Sequence, residues 1–257
     1  MKLRDLLSEM KDIQVQIGTA VPYICGGTPR DKYLNNIANM ADLDITTGDK
    51  SVDYLSQELY SALSKKYKVL RKIMDDKHSS IYIGKFKIDF SSNYTVPNID
   101  NFLKLQTTQP ITNMQREIFS RDFTCNALLM TLDLSKIIDI TNRGFQDIKE
   151  RKIKTCLSPD VTLISNKNRV IRAIYLACKL NFDIDESIIE FVKSNPESVK
   201  ISSPKSLAEK LNLAFEKDAD KASYLLTRMN LWNYVPITET VYPYYMKSVK
   251  GANNAAQ

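Results

Sequence analysis

The sequence predicts an α+β protein: a small mixed β-sheet with helices over residues 1–135, then a helical part over residues 136–250. Three observations carry this. Short apolar segments with a two-residue period are confined to the first third. From residue 170 onward apolar residues recur at three- and four-residue spacing. The alternating segments also carry aspartates at alternate positions, which one face of a strand presents together.

Taken in order, Leu3, Leu6, Leu7 and Met10 form one stripe of a helix over residues 1–16. Val21 to Cys25 reads as a short strand ending at Gly26-Gly27. Arg30 to Met40 has helical spacing through Tyr33, Leu34 and Ile37, and Asp42–Thr46 is a strand. Val52–Leu63 is a second helix and Tyr67–Lys72 a strand. Ile81 to Phe90 alternates as two strands joined by a tight turn at Gly84. Beyond Asp122, Phe123–Thr131 reads as a helix, Ile137–Ile140 as a strand and Asn142-Arg143-Gly144 as a turn. Val170, Ile171, Ile174, Tyr175 and Cys178 mark one helical face, and helices follow at 185–194, 204–216 and 218–230. Such stripes are core packing. Residues 251–257 are expected to be a disordered tail.

Composition narrows the function classes. At 257 residues the chain is long enough for a sizeable core, as one large domain or two small ones. The net charge of +6 is local: residues 141–180 hold nine Lys/Arg and three Asp/Glu, an excess equal to that of the whole chain. A polyanionic partner such as nucleic acid fits that concentration. Cys25, Cys125, Cys156 and Cys178 are too scattered for a zinc site or a disulfide framework, which points to a reducing compartment. His78 is the only histidine and sits in the polar run Asp75-Asp76-Lys77-His78-Ser79, so His-dependent nucleophilic catalysis has little to rest on. With no signal peptide and no apolar stretch near ~18 residues, the expectation is a soluble, cytoplasmic protein with no membrane partner.

Three fragments read as one site: Ile24-Cys25-Gly26-Gly27-Thr28-Pro29-Arg30-Asp31, Asp42-Leu43-Asp44 and Lys87-Ile88-Asp89-Phe90. A glycine pair after an apolar strand lets backbone approach a phosphate closely. Asp42 and Asp44 share a strand face and suit divalent cations. Asp89 on another strand completes the carboxylate set of a two-metal phosphoryl or nucleotidyl transfer site. The run Ser120-Arg121-Asp122-Phe123-Thr124-Cys125-Asn126-Ala127-Leu128 adds Arg121, able to meet a triphosphate. It also places Asp122 and Asn126 four apart at an expected helix start. On their own these two could be an N-cap and a solvated polar residue. Beside the glycines and aspartates they read as ribose and phosphate contacts.

The motifs G-G-x-x-R-D, D-x-D, a later strand aspartate and R-D-F-T-x-N-A-L, in that order, resemble the class II tRNA nucleotidyltransferases (CCA-adding enzymes) and bacterial poly(A) polymerases. The resemblance continues through Asp139–Ile148, like D-P-x-x-G-x-x-D-L, and through Arg169–Phe182, like R-I-L-R-A-x-R-F-A-x-x-L-x-F. It implies a nucleotidyltransferase head followed by an all-α neck and body. The implied activity is Mg2+-dependent transfer of CMP and AMP from CTP and ATP to an RNA 3′ end, foremost that of tRNA, with release of pyrophosphate. In that scheme Asp42, Asp44 and Asp89 bind the metal pair. Gly26, Gly27, Arg30, Arg121, Asp122 and Asn126 hold the triphosphate and ribose, and Asn166, Arg169 and Arg172 belong to nucleotide selection. Arg143, Lys149, Arg151, Lys152 and Lys154 are the expected RNA-binding residues. A poly(A) polymerase-like enzyme on another RNA and a non-catalytic RNA-binding derivative are the alternatives.

The chain departs from the family pattern in places. The base-reading E-D-P-x-R is Ser165-Asn166-Lys167-Asn168-Arg169, so an amide that both donates and accepts replaces a carboxylate. A later E-R pair reads Ser203-Pro204-Lys205-Ser206, and the first Arg of R-R-D is Ser120. About forty residues follow position 215 and end in the run Tyr242-Pro243-Tyr244-Tyr245-Met246-Lys247. That run is either a stacking surface for unpaired bases or an anchor packed on the preceding helices.

Overall fold

The computed structural model describes residues 1–36, 40–75, 78–92, 96–105, 109–199 and 204–255. Contacts divide the chain into two units, Met1–Phe145 and Gln146–Gln257. The C-terminal end of the helix expected over Arg30–Met40, Ser203 and the last two residues of the expected tail lie outside the described residues.

The first unit runs α1 (Leu3–Ile17), β1 (Tyr23–Cys25), α2 (Gly27–Tyr33), β2 (Asp42–Thr46), α3 (Ser51–Ser64), β3 (Val69–Asp75), β4 (His78–Ile83), β5 (Phe86–Ser91), α4 (Ile99–Lys104), α5 (Asn113–Phe119), a 3-10 turn (Thr124–Asn126), β6 (Leu128–Met130) and β7 (Ile137–Asp139). Among the described residues its strands form one sheet in the order β3-β4-β5-β2-β1-β6-β7. The sheet is mixed because β2 pairs parallel with β5 while the other neighbours pair antiparallel.

Alternation decides what each face carries. Leu43 and Ile45 on β2 and Phe86, Ile88 and Phe90 on β5 point to one face, where Leu6, Leu7, Met10 and Ile13 of α1 meet them. Val52, Leu55, Leu59 and Leu63 of α3 pack there too. Each such side chain contributes ~1.5–3 kcal/mol by leaving water. Asp42, Asp44, Lys87 and Asp89 occupy the alternate positions, on the opposite face. Gly84, at φ +57, makes the two-residue hairpin between Ile83 and Phe86 that fixes the β4–β5 register.

Two expectations are corrected here. Phe123–Thr131 is not a helix: Thr124–Asn126 form a single 3-10 turn, and Leu128–Met130 form β6 between β1 and β7. An apolar run buried on both faces shows neither period, so helix and strand look alike in it. The first unit also extends past residue 135, because Ile137–Asp139 pairs with β6 and so belongs to the sheet.

The division falls within α6 (Gly144–Lys149). The second unit then contains β8 (Lys152–Ile153), α7 (Pro159–Ser165), α8 (Asn168–Leu180), β9 (Asp183–Ile184), α9 (Glu186–Ser194), a 3-10 turn (Pro196–Val199), α10 (Pro204–Lys217), α11 (Ala219–Arg228) and α12 (Tyr242–Ala255). α8 buries Val170, Ile171, Ala173, Ile174, Ala177 and Cys178 against its neighbours. Asp185 and Asp218 cap α9 and α11 by accepting from the Ser187 and Lys221 N–H groups. The aromatic run is used as an anchor. Tyr244 packs on Phe215 with ring centroids 5.2 Å apart, and Tyr245 on Trp232 at 5.8 Å. α12 continues through Gly251 to Ala255, where the sequence suggests a disordered tail. Among the described residues no helix is long and apolar enough to cross a membrane.

Candidate functional site

The parallel β2–β5 register sets Asp44 directly beside Asp89 and Asp42 beside Lys87. Three aspartates therefore gather on one patch of the face opposite the apolar core. Asp42 is largely exposed, while Asp44 and Asp89 are half-buried. Both oxygens of Asp89 are engaged: Oδ1 accepts from the Ser80 hydroxyl at 2.5 Å and Oδ2 from Lys87 Nζ at 2.5 Å. The same ammonium lies 3.8 Å from Asp42 Oδ1. The hydrogen bond to Asp89 holds the Lys87 ammonium above its usual range against partial burial, and Asp42 adds to it. In this arrangement no three His, Cys, Asp or Glu side chains among the described residues converge as a metal-binding group. The donors are nonetheless of the right kind. Carboxylates on adjacent strands supply the hard oxygens that Mg2+ prefers, and a cation, the Lys87 ammonium, already sits between two of them.

Gly26 closes the other side. Its φ of +74 and ψ of −134 suit glycine, and a Cβ there would lie 2.2 Å from Asp44 Oδ2. The Asp44 carboxylate thus rests on the Gly26 backbone just before α2 begins.

Beneath this layer lies a buried charge pair. Arg121 Nη2 donates to Glu117 Oε1 at 2.8 Å and to Cys25 Sγ at 2.9 Å. Glu117 is fully buried, and Cys25 pairs with Asp44 across β1 and β2. Burial opposes the Arg121 charge, but its acidic neighbours, Glu117 and Asp44 among them, hold its pKa above the usual value. Burial pushes the Cys25 thiol up to about 12, so it is neutral and no nucleophile.

The remaining residues of the expected site are placed less uniformly. Arg30 is 2% exposed; its guanidinium binds Asp31 and the side-chain oxygen of Asn126, tying α2 to the 3-10 turn. Asp122 accepts from the Phe123 N–H at 2.8 Å. Asp122 and Asn126 do not share a helical face, because no helix forms there. In the second unit Arg169 is buried and donates to the Thr162 carbonyl and the Ser165 hydroxyl, both at 3.0 Å. Asn166 is exposed, with Oδ1 accepting from the Asn168 N–H. Arg172 stands near Lys210, whose pKa is lowered by burial and by the Arg172 charge.

The basic segment is not uniform either. Lys154 pairs with the buried Asp147 at 2.9 Å and with Glu150, and Lys152 lies 3.7 Å from Asp183. Arg143, Lys149 and Arg151 are exposed. Sequence reasoning missed Ser80, Glu117 and Lys210 and gave Lys87 no role of its own. Lys87 and Glu117 carried a signal: Lys87 is two before Asp89 in a strand, and Glu117 four before Arg121 in a helix.

Residues 22–154 match the Poly A polymerase head domain, just over half of the chain. Among similar proteins, tRNA nucleotidyltransferase cca2 of Schizosaccharomyces pombe is 27% identical over 231 residues, covering 82% of this chain and 47% of that protein. A CCA-adding enzyme of Lactobacillus helveticus is 26% identical over 191 residues, covering 73% of this chain and 44% of its own length. The chain thus spans about half the length of these relatives. The fold is that of the Bacillus stearothermophilus CCA-adding enzyme solved in complex with CTP, at a TM-score of 0.70 and 19% identity over 92% of this chain and 55% of that one. It also matches a tRNA nucleotidyltransferase solved with a primer tRNA and an incoming ATP analog, at a TM-score of 0.64 and 23% identity over 90% of this chain and 62% of that one.

Proposed function

The chain belongs to the Poly A polymerase head domain family, and from that premise we propose that it adds CMP and AMP from CTP and ATP to the 3′ end of tRNA, releasing pyrophosphate. The observation that carries this reading is the register that sets Asp44 beside Asp89, with Asp42 two residues away and Gly26 against Asp44. Asp42, Asp44 and Asp89 would hold Mg2+, whose charge, when bound, stabilises the transferring phosphoryl group and favours ionisation of the RNA 3′-hydroxyl. Gly26 and Gly27 leave room for the triphosphate. Arg121, fixed by Glu117, places a permanent positive charge beneath Asp44. Arg30 acts through Asn126, orienting it toward the ribose, rather than on phosphate itself.

In this reading the first unit, Met1–Phe145, supplies catalysis, and the second, from Gln146 on, supplies base selection and RNA binding. Arg169 reads the incoming base, and Ser165 braces it where the family pattern E-D-P-x-R has glutamate. With Asn166 Oδ1 committed to the Asn168 N–H, the group left to face a base is the amide NH2, a donor that tolerates a uracil carbonyl better than an aspartate would. Lys149 and Arg151 carry more of the RNA contact than Lys152 and Lys154, which already have acidic partners, and Arg143 remains an RNA-binding residue in this reading. The cytoplasm is the proposed setting; the four cysteines are buried thiols outside any disulfide.

The test is to incubate the protein with tRNA lacking its 3′ terminus, supply each NTP separately, and sequence the products. Short C and A additions confined to tRNA uphold the reading. Long A tracts on unrelated RNA indicate a poly(A) polymerase, and no addition with retained RNA binding indicates a non-catalytic derivative.

A further inference from the structure

Lys87 stands where a cation is wanted. It faces Asp42 across the parallel β2–β5 pair and precedes Asp89 by two residues, so all three side chains leave the sheet on the same face. Its ammonium touches Asp89 Oδ2 and lies 3.8 Å from Asp42 Oδ1. Ser80 meanwhile occupies Asp89 Oδ1. Resting on the cation-binding reading of these aspartates, we propose that Lys87 is a built-in competitor for the metal position between Asp42 and Asp89. Its ammonium holds the two carboxylates in place before loading and must leave as the divalent ion enters.

Two features separate this from an ordinary surface ion pair of little consequence. Lys87 bridges two of the three carboxylates assigned to the metal pair, so a metal ion that these two take competes with it directly. Its backbone is also fixed, since the Lys87 N–H donates to the Ala41 carbonyl at 2.8 Å. The side chain, 38% exposed, is therefore the part that can swing aside. Lys87 is then a positioning residue: it sets how much metal is needed to assemble the site and takes no part in the transfer itself.

The test uses Mn2+ alone, without nucleotide, followed by electron paramagnetic resonance on the whole chain. Lys87→Met, which keeps length and loses charge, should bind Mn2+ roughly tenfold more tightly than the parent, since a competing positive charge close to the ion is gone. Metal-free Lys87→Met should melt lower than the parent and gain more in Tm on adding Mn2+. Lys87→Arg, which keeps the charge, should bind no more tightly than the parent, and Lys87→Gln replaces the Met variant if that one does not fold. Unchanged or weaker Mn2+ binding in the charge-removed variant overturns the proposal. Asp42→Ala separates the two readings. If it loses Mn2+ while Lys87→Met is unchanged, only the role of Lys87 fails. If it binds like the parent, the aspartates are not metal ligands, and both readings fail.

Discussion

Replacing Gly26 by alanine tests how closely the backbone and the carboxylates are fitted. At φ +74 and ψ −134 the residue occupies a region that side chains avoid, which costs ~1–3 kcal/mol for any residue but glycine. The new Cβ would also lie 2.2 Å from Asp44 Oδ2, where ordinary contact begins near 3.4 Å. Asp44 would have to retreat by about 1 Å, and a displacement of that size at a reacting centre costs ~10²-fold in rate. Gly26→Ala should therefore lower stability by ~1–3 kcal/mol and single-turnover nucleotide addition by about 10²-fold. Gly27→Ala is the control. Its Cβ would meet only the end of the Arg30 side chain, at 3.0 Å, with no positive φ, so stability should stay close to the parent and nucleotide addition, which also depends on room for the triphosphate, should fall less than in Gly26→Ala. Urea unfolding and rapid-quench incorporation measure the two effects. Equal losses in the two variants would refute the reasoning, because only Gly26 touches Asp44.

The basic segment should divide by partner. Reversing charge at Lys149 and Arg151 should weaken RNA binding and flatten its salt dependence, whereas Lys154→Ala should act mainly on stability through the buried Asp147. Salt titrations of RNA binding beside thermal melts separate these outcomes. Stability should also fall at alkaline pH. Burial and the Asp218 charge push the Cys178 thiol from 9.0 to about 12, Lys221 opposing, so between those values only the unfolded chain gives up the proton. The folded state then loses stability from pH 9 upward, and Cys178→Ala should make urea midpoints less steep over that range.

Much of the first unit was legible because one side of its sheet is apolar and the other polar. Leu43 and Ile45 between Asp42, Asp44 and Thr46, and Ile88 between Lys87 and Asp89, announce both the strands and the face that carries chemistry. Leu128-Leu129-Met130 announced nothing of the kind, since β6 is buried on both sides and has no alternation to read. Short elements such as α4, α5 and α7 fall below the length at which periodicity speaks. Within the site the aspartates and glycines were readable from spacing. The depth of the arginines was not: Arg30 and Arg169 are buried and Arg121 nearly so, and charged residues are read as exposed unless a partner is known. The neutralised half of the basic segment was hidden for a similar reason, because Asp183 lies far along the chain from Lys152.

The central claim is that Asp44 and its neighbours on β2 and β5 assemble a cation-dependent nucleotidyl transfer site. Asp44→Asn removes one charge while keeping the shape that rests on Gly26, so the fold should survive. The most direct measurement is single-turnover incorporation of radiolabelled CMP into tRNA lacking its 3′ terminus, at saturating Mg2+, for this variant and the parent. A loss on the order of 10³-fold with an unchanged melting curve is the predicted result, the scale at which removing transition-state charge stabilisation acts. Parental rates in Asp44→Asn would contradict the account.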